Sequence, residues 1–209
     1  DEAALQLAAV LGPFRGKVRR VALASVVPAA GEAWRAAAEA LVGREPVQVT
    51  HASPLGFTVD YRPPEDVGAD RLADAAAAVE RCGAPVVVVD FGSAVTLSVV
   101  SRRLAYLGGA IAPGLELTAE ALARRTAKLP LIRPSAPRAA IGRSTAESLR
   151  SGLGLGAAAL VDGLLTRTFE ELGERARVLA TGGAAAMVVP HCRLVREVAP
   201  DLTLEGIRL

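Results

Sequence analysis

Apolar and polar positions follow two rhythms along the chain. Residues 2–11 repeat apolar side chains at helical spacing and run into Gly12-Pro13, which predicts a short amphipathic helix. A Val- and Ala-rich run over 18–27 predicts a buried strand stopped by Pro28. Residues 31–42 set Trp34 and Leu41 among alanines at helix-compatible spacing, with Gly43 as the terminator. Val47-Gln48-Val49-Thr50 predicts a short strand, and the Pro- and Gly-bearing stretch 53–68 a long loop. Loops of that length inside a compact domain are often functional. Residues 70–81 predict a helix closed by Cys82-Gly83.

Beyond residue 83 the rhythm changes. Residues 85–90 are almost continuously apolar, as in a strand buried on both faces. Further strands are predicted at 94–101 and 105–112, and the link Phe91-Gly92-Ser93 makes the first two a hairpin. A helix over 117–125, a Pro-rich connection over 129–137 and a long helical region over 145–172 follow. Residues 178–180 predict a buried strand ended by Thr181-Gly182-Gly183, and 201–208 a short helix. Hairpins mixed with strand–helix alternation imply an α/β fold with a mixed sheet. The shift near residue 83 is the expected domain boundary, dividing 1–83 from 84–209.

Composition narrows the function. The 209 residues are 51% hydrophobic, enough for a sizeable core. The net charge is only +2, with acids and bases interspersed, so no nucleic-acid partner is implied. The apolar runs are too short to span a bilayer, and no membrane role is expected. Two cysteines, Cys82 and Cys192, lack metal-ligand spacing and suit a reduced, cytoplasmic setting. No signal-peptide pattern is present, and the opening residues read as the middle of a helix. The natural protein is therefore expected to start before Asp1.

Several motifs could carry chemistry. In Val67-Gly68-Ala69-Asp70-Arg71, a carboxylate at a helix start can accept a substrate proton, and the neighbouring Arg can hold an anion. Asp70 could equally just complement the helix dipole. In the hairpin Asp90-Phe91-Gly92-Ser93-Ala94-Val95-Thr96, the Gly lets backbone approach a phosphate, Ser93 offers a hydroxyl and Asp90 can hold a cation. An ordinary turn, with Asp90 serving backbone amides, would look the same. Glycines in the segment from Tyr106 to Gly114 suit close contact with a ligand or tight packing between elements. Ser144 and Glu147 have capping-box spacing, which leaves Thr145 free to meet a ligand. Gly152, Gly154 and Gly156 weaken the long helix unless close packing compensates. Thr181-Gly182-Gly183 could cradle a nucleotide. His51 and His191 have no visible partner and read as structural or surface residues.

The order of these motifs is more specific than any one of them. Ala24-Ser25-Val26-Val27-Pro28, Gly68-Ala69-Asp70-Arg71, Asp90-Phe91-Gly92-Ser93-Ala94, Tyr106 to Gly114, Ile141 to Thr145, Thr181-Gly182-Gly183 and Asp201-Leu202-Thr203-Leu204-Glu205-Gly206 together resemble the type III pantothenate kinases over essentially the whole chain. That family belongs to the acetate and sugar kinase, Hsp70 and actin superfamily. The resemblance implies two ribonuclease-H-like domains with mixed sheets, the first incomplete here, clasping ATP. It implies ATP-dependent phosphorylation of pantothenate to 4'-phosphopantothenate, the first step of coenzyme A synthesis. It also implies Mg2+, a monovalent cation (K+ or NH4+) and a homodimer.

Carried over by motif, Asp70 matches the proton acceptor, and Gly68, Ala69 and Arg71 match pantothenate contacts, with Tyr61 an aromatic contact upstream. Asp90 matches the monovalent-cation ligand and Ser93 a hydroxyl on the nucleotide phosphates. Thr145 matches a pantothenate contact that closes the site at a dimer interface. Two departures stand out. The family's opening Asp-x-Gly-Asn-Thr phosphate segment has no counterpart here. The hairpin that usually reads Gly-Thr-Ala-Thr-Thr is Gly92-Ser93-Ala94-Val95-Thr96, in which Val95 cannot replace a hydroxyl. A non-catalytic homologue working as a binding or transcriptional accessory protein is the alternative. Without the opening segment, the 209-residue chain by itself is expected to have little kinase activity and an unpaired sheet edge prone to association.

Overall fold

The computed structural model describes residues 2–14 and 16–209. In chain order the elements are α1 (Glu2–Leu11), β1 (Ala22–Leu23), α2 (Pro28–Val42), β2 (Val47–Gln48), β3 (Thr58–Val59), α3 (Ala69–Cys82), β4 (Val86–Phe91), β5 (Ala94–Val100), β6 (Ala105–Pro113), α4 (Leu115–Arg125), α5 (Thr145–Leu172), β7 (Arg177–Thr181), α6 (Ala185–Val188), β8 (Glu197–Val198) and α7 (Leu202–Arg208). Single 3-10 turns lie at Gly12–Phe14, Pro64–Asp66 and Val189–His191.

The main sheet has six strands in the order β3-β6-β5-β4-β7-β8. It is mixed: β4, β5 and β6 form an antiparallel meander, and β7 joins β4 in parallel. Side chains of β4 alternate between two cores. Val86 and Val88 face α3 and α7, together with Val100, Tyr106 and Leu179. Val87 and Val89 face α5, whose Ala158, Val161 and Leu165 meet Val95, Leu97 and Val99. The sheet is thus the middle of three layers, which is why its central strand reads as unbroken valine. On the α5 side, Asp162 accepts the backbone N–H groups of Arg193 and Leu194 at 2.7 and 2.9 Å, tying the helix to the segment before β8.

The first part of the chain differs from expectation. The strand predicted over 18–27 is only Ala22–Leu23, and Pro28 opens α2 at its first position. Proline suits that position because its missing N–H would have had no helical partner. The strand stays short because its ladder has one side: β1 pairs only with β2, in parallel, in a two-stranded sheet. Val26, Val27 and Val47 remain largely exposed beside it. The predicted loop 53–68 also holds structure: β3, lying before residue 83, pairs in parallel with β6 at the edge of the main sheet. The helix over 145–172 has the predicted bounds and is capped by Ser144, which accepts the Glu147 N–H at 3.2 Å.

The glycines expected to pack closely divide. A Cβ on Gly154 would lie 2.8 Å from the Pro137 ring, whereas Gly152, Gly156 and Gly163 face open space. Close packing therefore compensates only at Gly154. Of the two readings of the glycines between Tyr106 and Gly114, packing is visible. Gly109 presses on the Leu97 carbonyl, and Gly114 on the Gly92 and Ser93 carbonyls. A contrast follows for α5. Gly163→Ala should raise stability by about 0.5–1 kcal/mol through helix propensity alone. Gly154→Ala should gain nothing or lose about 1–3 kcal/mol by overpacking against Pro137. Urea denaturation of the two variants measures the difference, and equal stabilisation would contradict the packing contact.

Candidate active site

Helix α3 presents Asp70 in its first turn. Its N-cap is Gly68, which offers no side-chain acceptor. The Asp70 carboxylate takes part of that role by accepting the Arg71 N–H at 2.8 Å. A Cβ on Gly68 would stand 2.5 Å from Asp70 Oδ1, so glycine leaves that oxygen room. Arg71 donates to the Asp66 carbonyl at 3.3 Å and forms no ion pair among the described residues. Gly68, Ala69, Asp70 and Arg71 share an open cavity of about 880 Å³ with Ser25, Arg35 and His51.

An aromatic pair outside the lining of that cavity is built from β6 and the loop after β3. Tyr61 meets Tyr106 edge-on, with ring centroids 6.4 Å apart. Gly108, at φ +100°, makes space for Tyr61, since a Cβ there would sit 2.9 Å from its ring. Tyr106 is fully buried, and its hydroxyl shares a 3.3 Å hydrogen bond with Ser98. Burial pushes its pKa up, the Ser98 bond opposes this, and the charges of Arg71 and Asp70 both reach it.

Asp90 ends β4 opposite Thr181 of β7. Glycines make its surroundings: a Cβ on Gly182 would lie 2.2 Å from Oδ1, and one on Gly92 would lie 3.2 Å from Oδ2. No hydrogen-bond donor among the described residues is assigned to this half-buried carboxylate. Burial raises its pKa first, and the negative charge of Asp70 adds to the rise. Ser93, exposed in the β4–β5 turn, lines a second cavity of about 420 Å³ with Gly92, Glu116, Gly183 and Met187. The hairpin turn and the Thr181-Gly182-Gly183 turn thus meet across Asp90.

The family model for type III pantothenate kinases matches residues 1–167. The chain belongs to the type III pantothenate kinase family. It is 46% identical to the type III pantothenate kinase of Thermomicrobium roseum, over 92% of this chain and 74% of that protein. It is 42% identical to that of Desulfatibacillum aliphaticivorans, over 88% and 72%. In fold it is similar to the crystal structure of a conserved putative Baf family transcriptional activator from Campylobacter jejuni. That match has a TM-score of 0.62 at 18% identity, covering 95% of this chain and 85% of the other. The fold is accordingly mixed α/β around a multi-strand mixed sheet. Among the described residues no helix is long and apolar enough to cross a membrane.

Of the residues that resemble family positions, Gly68, Ala69, Asp70 and Arg71 are gathered in one cavity, whereas Tyr61 does not line it and packs on Tyr106. Asp90 and Ser93 lie at the hairpin. Thr145 is not part of this group. It is exposed and lines a separate cavity of about 360 Å³ with Thr118, Leu122 and Gly152. His51, read as an isolated surface residue, is exposed but borders the Asp70 cavity.

Asp74 was not singled out in the sequence. It lies one helical turn beyond Asp70, is only 2% exposed and accepts the Thr203 hydroxyl at 2.6 Å. Its signal was a lone acid in the buried alanine stretch Ala73-Asp74-Ala75-Ala76-Ala77-Ala78. Burial pushes its pKa to about 7; the Thr203 hydrogen bond opposes the rise, and the charges of Asp90 and Asp70 add to it.

The sign of the resulting pH dependence is fixed. Between the ordinary value of 3.8 and about 7, the folded protein holds a proton that the unfolded chain has released. Stability from this group is therefore greatest at the acidic end, falls as pH rises through that window and is level above it. Asp74→Asn, neutral throughout, should be more stable than the parent at pH 8 by on the order of a few kcal/mol, and nearly equal to it at pH 4. Denaturant midpoints at the two pH values test this, and a pH-independent difference would contradict it.

Proposed function

We propose that this chain carries out the family's reaction, transfer of the γ-phosphoryl group of ATP to the primary hydroxyl of pantothenate, the step that opens coenzyme A synthesis. The observation that carries the assignment is the pairing of Asp70 with Asp90. One carboxylate stands at a cavity large enough for a small acid, and the other stands between two glycine turns suited to phosphate. In this reading Asp70 accepts the hydroxyl proton as that oxygen bonds to the γ-phosphorus and the bond to the ADP oxygen breaks. Arg71, free of carboxylate partners, holds the anionic end of pantothenate, and Tyr61 packs on its body. Gly68 and Ala69 line the same pocket. Phosphoryl transfer asks mainly for positioning and charge stabilisation, which suits so small a set of side chains.

Ser93 offers its hydroxyl to the nucleotide phosphates. Asp90 fits a cation by its chemistry: burial first and the Asp70 charge second raise its pKa, and no hydrogen-bond donor among the described residues is assigned to it. A K+ or NH4+ ion there would offset negative charge beside the phosphates. No group of three or more His, Cys, Asp or Glu side chains converges as a metal site among the described residues. Mg2+ would be held by the substrate phosphates with one or two carboxylates and would keep several waters. The fold reads as the remainder of one ribonuclease-H-like domain, over 1–83, with a second over 84–209. The exposed Val26, Val27 and Val47 beside the two-stranded sheet support incompleteness of the first. Thr145 serves the site of a second copy in a homodimer, a reading supported by its separation from Asp70 and by Ile141 nearby, 82% exposed. The setting is cytoplasmic.

Asp70→Asn in the full-length protein should lower kcat by about 10²–10⁴-fold with ATP binding largely kept, because the amide cannot accept the proton. Asp90→Asn should instead weaken the dependence on K+ or NH4+ and raise the ATP requirement. Steady-state kinetics with each cation decide both, and near-normal turnover in Asp70→Asn would remove the assignment. Light scattering at micromolar concentration should give a dimer mass; a monomer would contradict the placement of Thr145.

A further inference from the structure

Helix α7 packs across α3 at backbone distance. A Cβ on Gly206 would lie 1.8 Å from the Ala73 carbonyl oxygen and 2.9 Å from its Cα. Only an alanine-lined helix face against a glycine permits so close an approach. One residue further along α3, the Thr203 hydroxyl reaches the buried Asp74 carboxylate at 2.6 Å. Leu202 is fully buried in the core shared by α3 and the sheet. At the far end of α3, Arg81 lies 3.4 Å from Glu197 and 3.8 Å from Glu205. Those half-exposed pairs contribute little. The buried hydrogen bond and the backbone contact therefore set the rotation and height of α3, and both act within one turn of Asp70.

We propose that α7 positions the proton acceptor: Thr203 on Asp74, with Gly206 against Ala73, fixes the first turns of α3 and so the placement of the Asp70 carboxylate. Thr203 and Asp74 are positioning residues and touch no substrate. The reasoning begins at the packing. A hydroxyl pointing into the protein at a buried carboxylate is a directional contact, whereas the surrounding alanines and leucines tolerate small rotations. Removing the hydroxyl leaves α3 held by apolar contacts that do not specify its rotation. The first turn, which lacks a side-chain cap at Gly68, is the part most free to shift. A displacement of about 1 Å at a reacting group costs up to roughly a hundredfold in rate. The nucleotide contacts on the β4–β5 turn stand on the sheet rather than on α3, so they stay in place.

The inference rests on Asp70 being the acceptor, and the test separates the two claims. Thr203→Val, Thr203→Ser, Asp74→Ala and Asp74→Asn are compared in the full-length protein, at a temperature where each is folded, with Asp70→Asn alongside. Thr203→Val and Asp74→Ala should lower kcat by about tenfold to a hundredfold, with KM for ATP within about twofold of the parent. Thr203→Ser, which keeps the hydroxyl, and Asp74→Asn, whose amide oxygen still accepts it, should recover most of the rate. Amide hydrogen exchange gives a readout independent of turnover. Thr203→Val should speed exchange over residues 70–74 more than over 78–82. Three outcomes would overturn the inference: a lower melting temperature with unchanged kcat, equal losses in Asp74→Asn and Asp74→Ala, or uniform exchange along α3. A loss in Asp70→Asn without one in Thr203→Val overturns this inference and leaves the proposed function standing. No loss in Asp70→Asn overturns the proposed function itself.

Discussion

The hydrogen-bonded confinement of β4 is what the rest of the structure hangs on. Its four valines are buried on both faces, and its backbone is paired on both edges, to β5 and to β7. Sliding it by one residue would exchange the cores on the two sides of the sheet and break two ladders at once. That confinement sets Asp90 opposite Thr181 and brings the Gly92 and Gly182 turns together around its carboxylate.

Asp90 is one of three carboxylates gathered at this end of the sheet. Asp70 and Asp74 lie one turn apart on α3, and the charges of the three reach one another. Burial dominates the upward shifts at Asp74 and Asp90, with mutual repulsion second. A chain with a net charge of only +2 thus brings three acidic side chains within reach of one another. The Arg71 guanidinium donates to the Asp66 carbonyl and has no carboxylate partner among the described residues.

Legibility in the sequence followed the strength of local signals. Helix α5 was readable over 145–172 because capping-box spacing at Ser144 and Glu147 marks its start. The β4–β5 hairpin was readable because a valine run, a glycine turn and a second apolar run leave few alternatives. The strand over 18–27 was overextended because apolar content reports burial, not the number of neighbouring strands; with β2 alone beside it, only Ala22–Leu23 pair. Strand β3 was hidden because two residues show no period, and its partner β6 lies more than forty residues away. Asp74 was passed over because an acid among alanines on a helix looks solvent-facing until the packing of α7 is known.

The sequence by itself determined the α/β class, the long capped helix, the order of the glycine-flanked acids and, through that order, the family. These are local properties: period, capping and turn chemistry act over a few residues and need no knowledge of the fold. Tertiary structure alone decided which acids share a field, that Tyr61 rests on Gly108, that Thr145 stands apart from Asp70 and that the last helix grips α3 through Thr203 and Gly206. Those relations join residues far apart in the chain, and they are set by which faces the sheet buries.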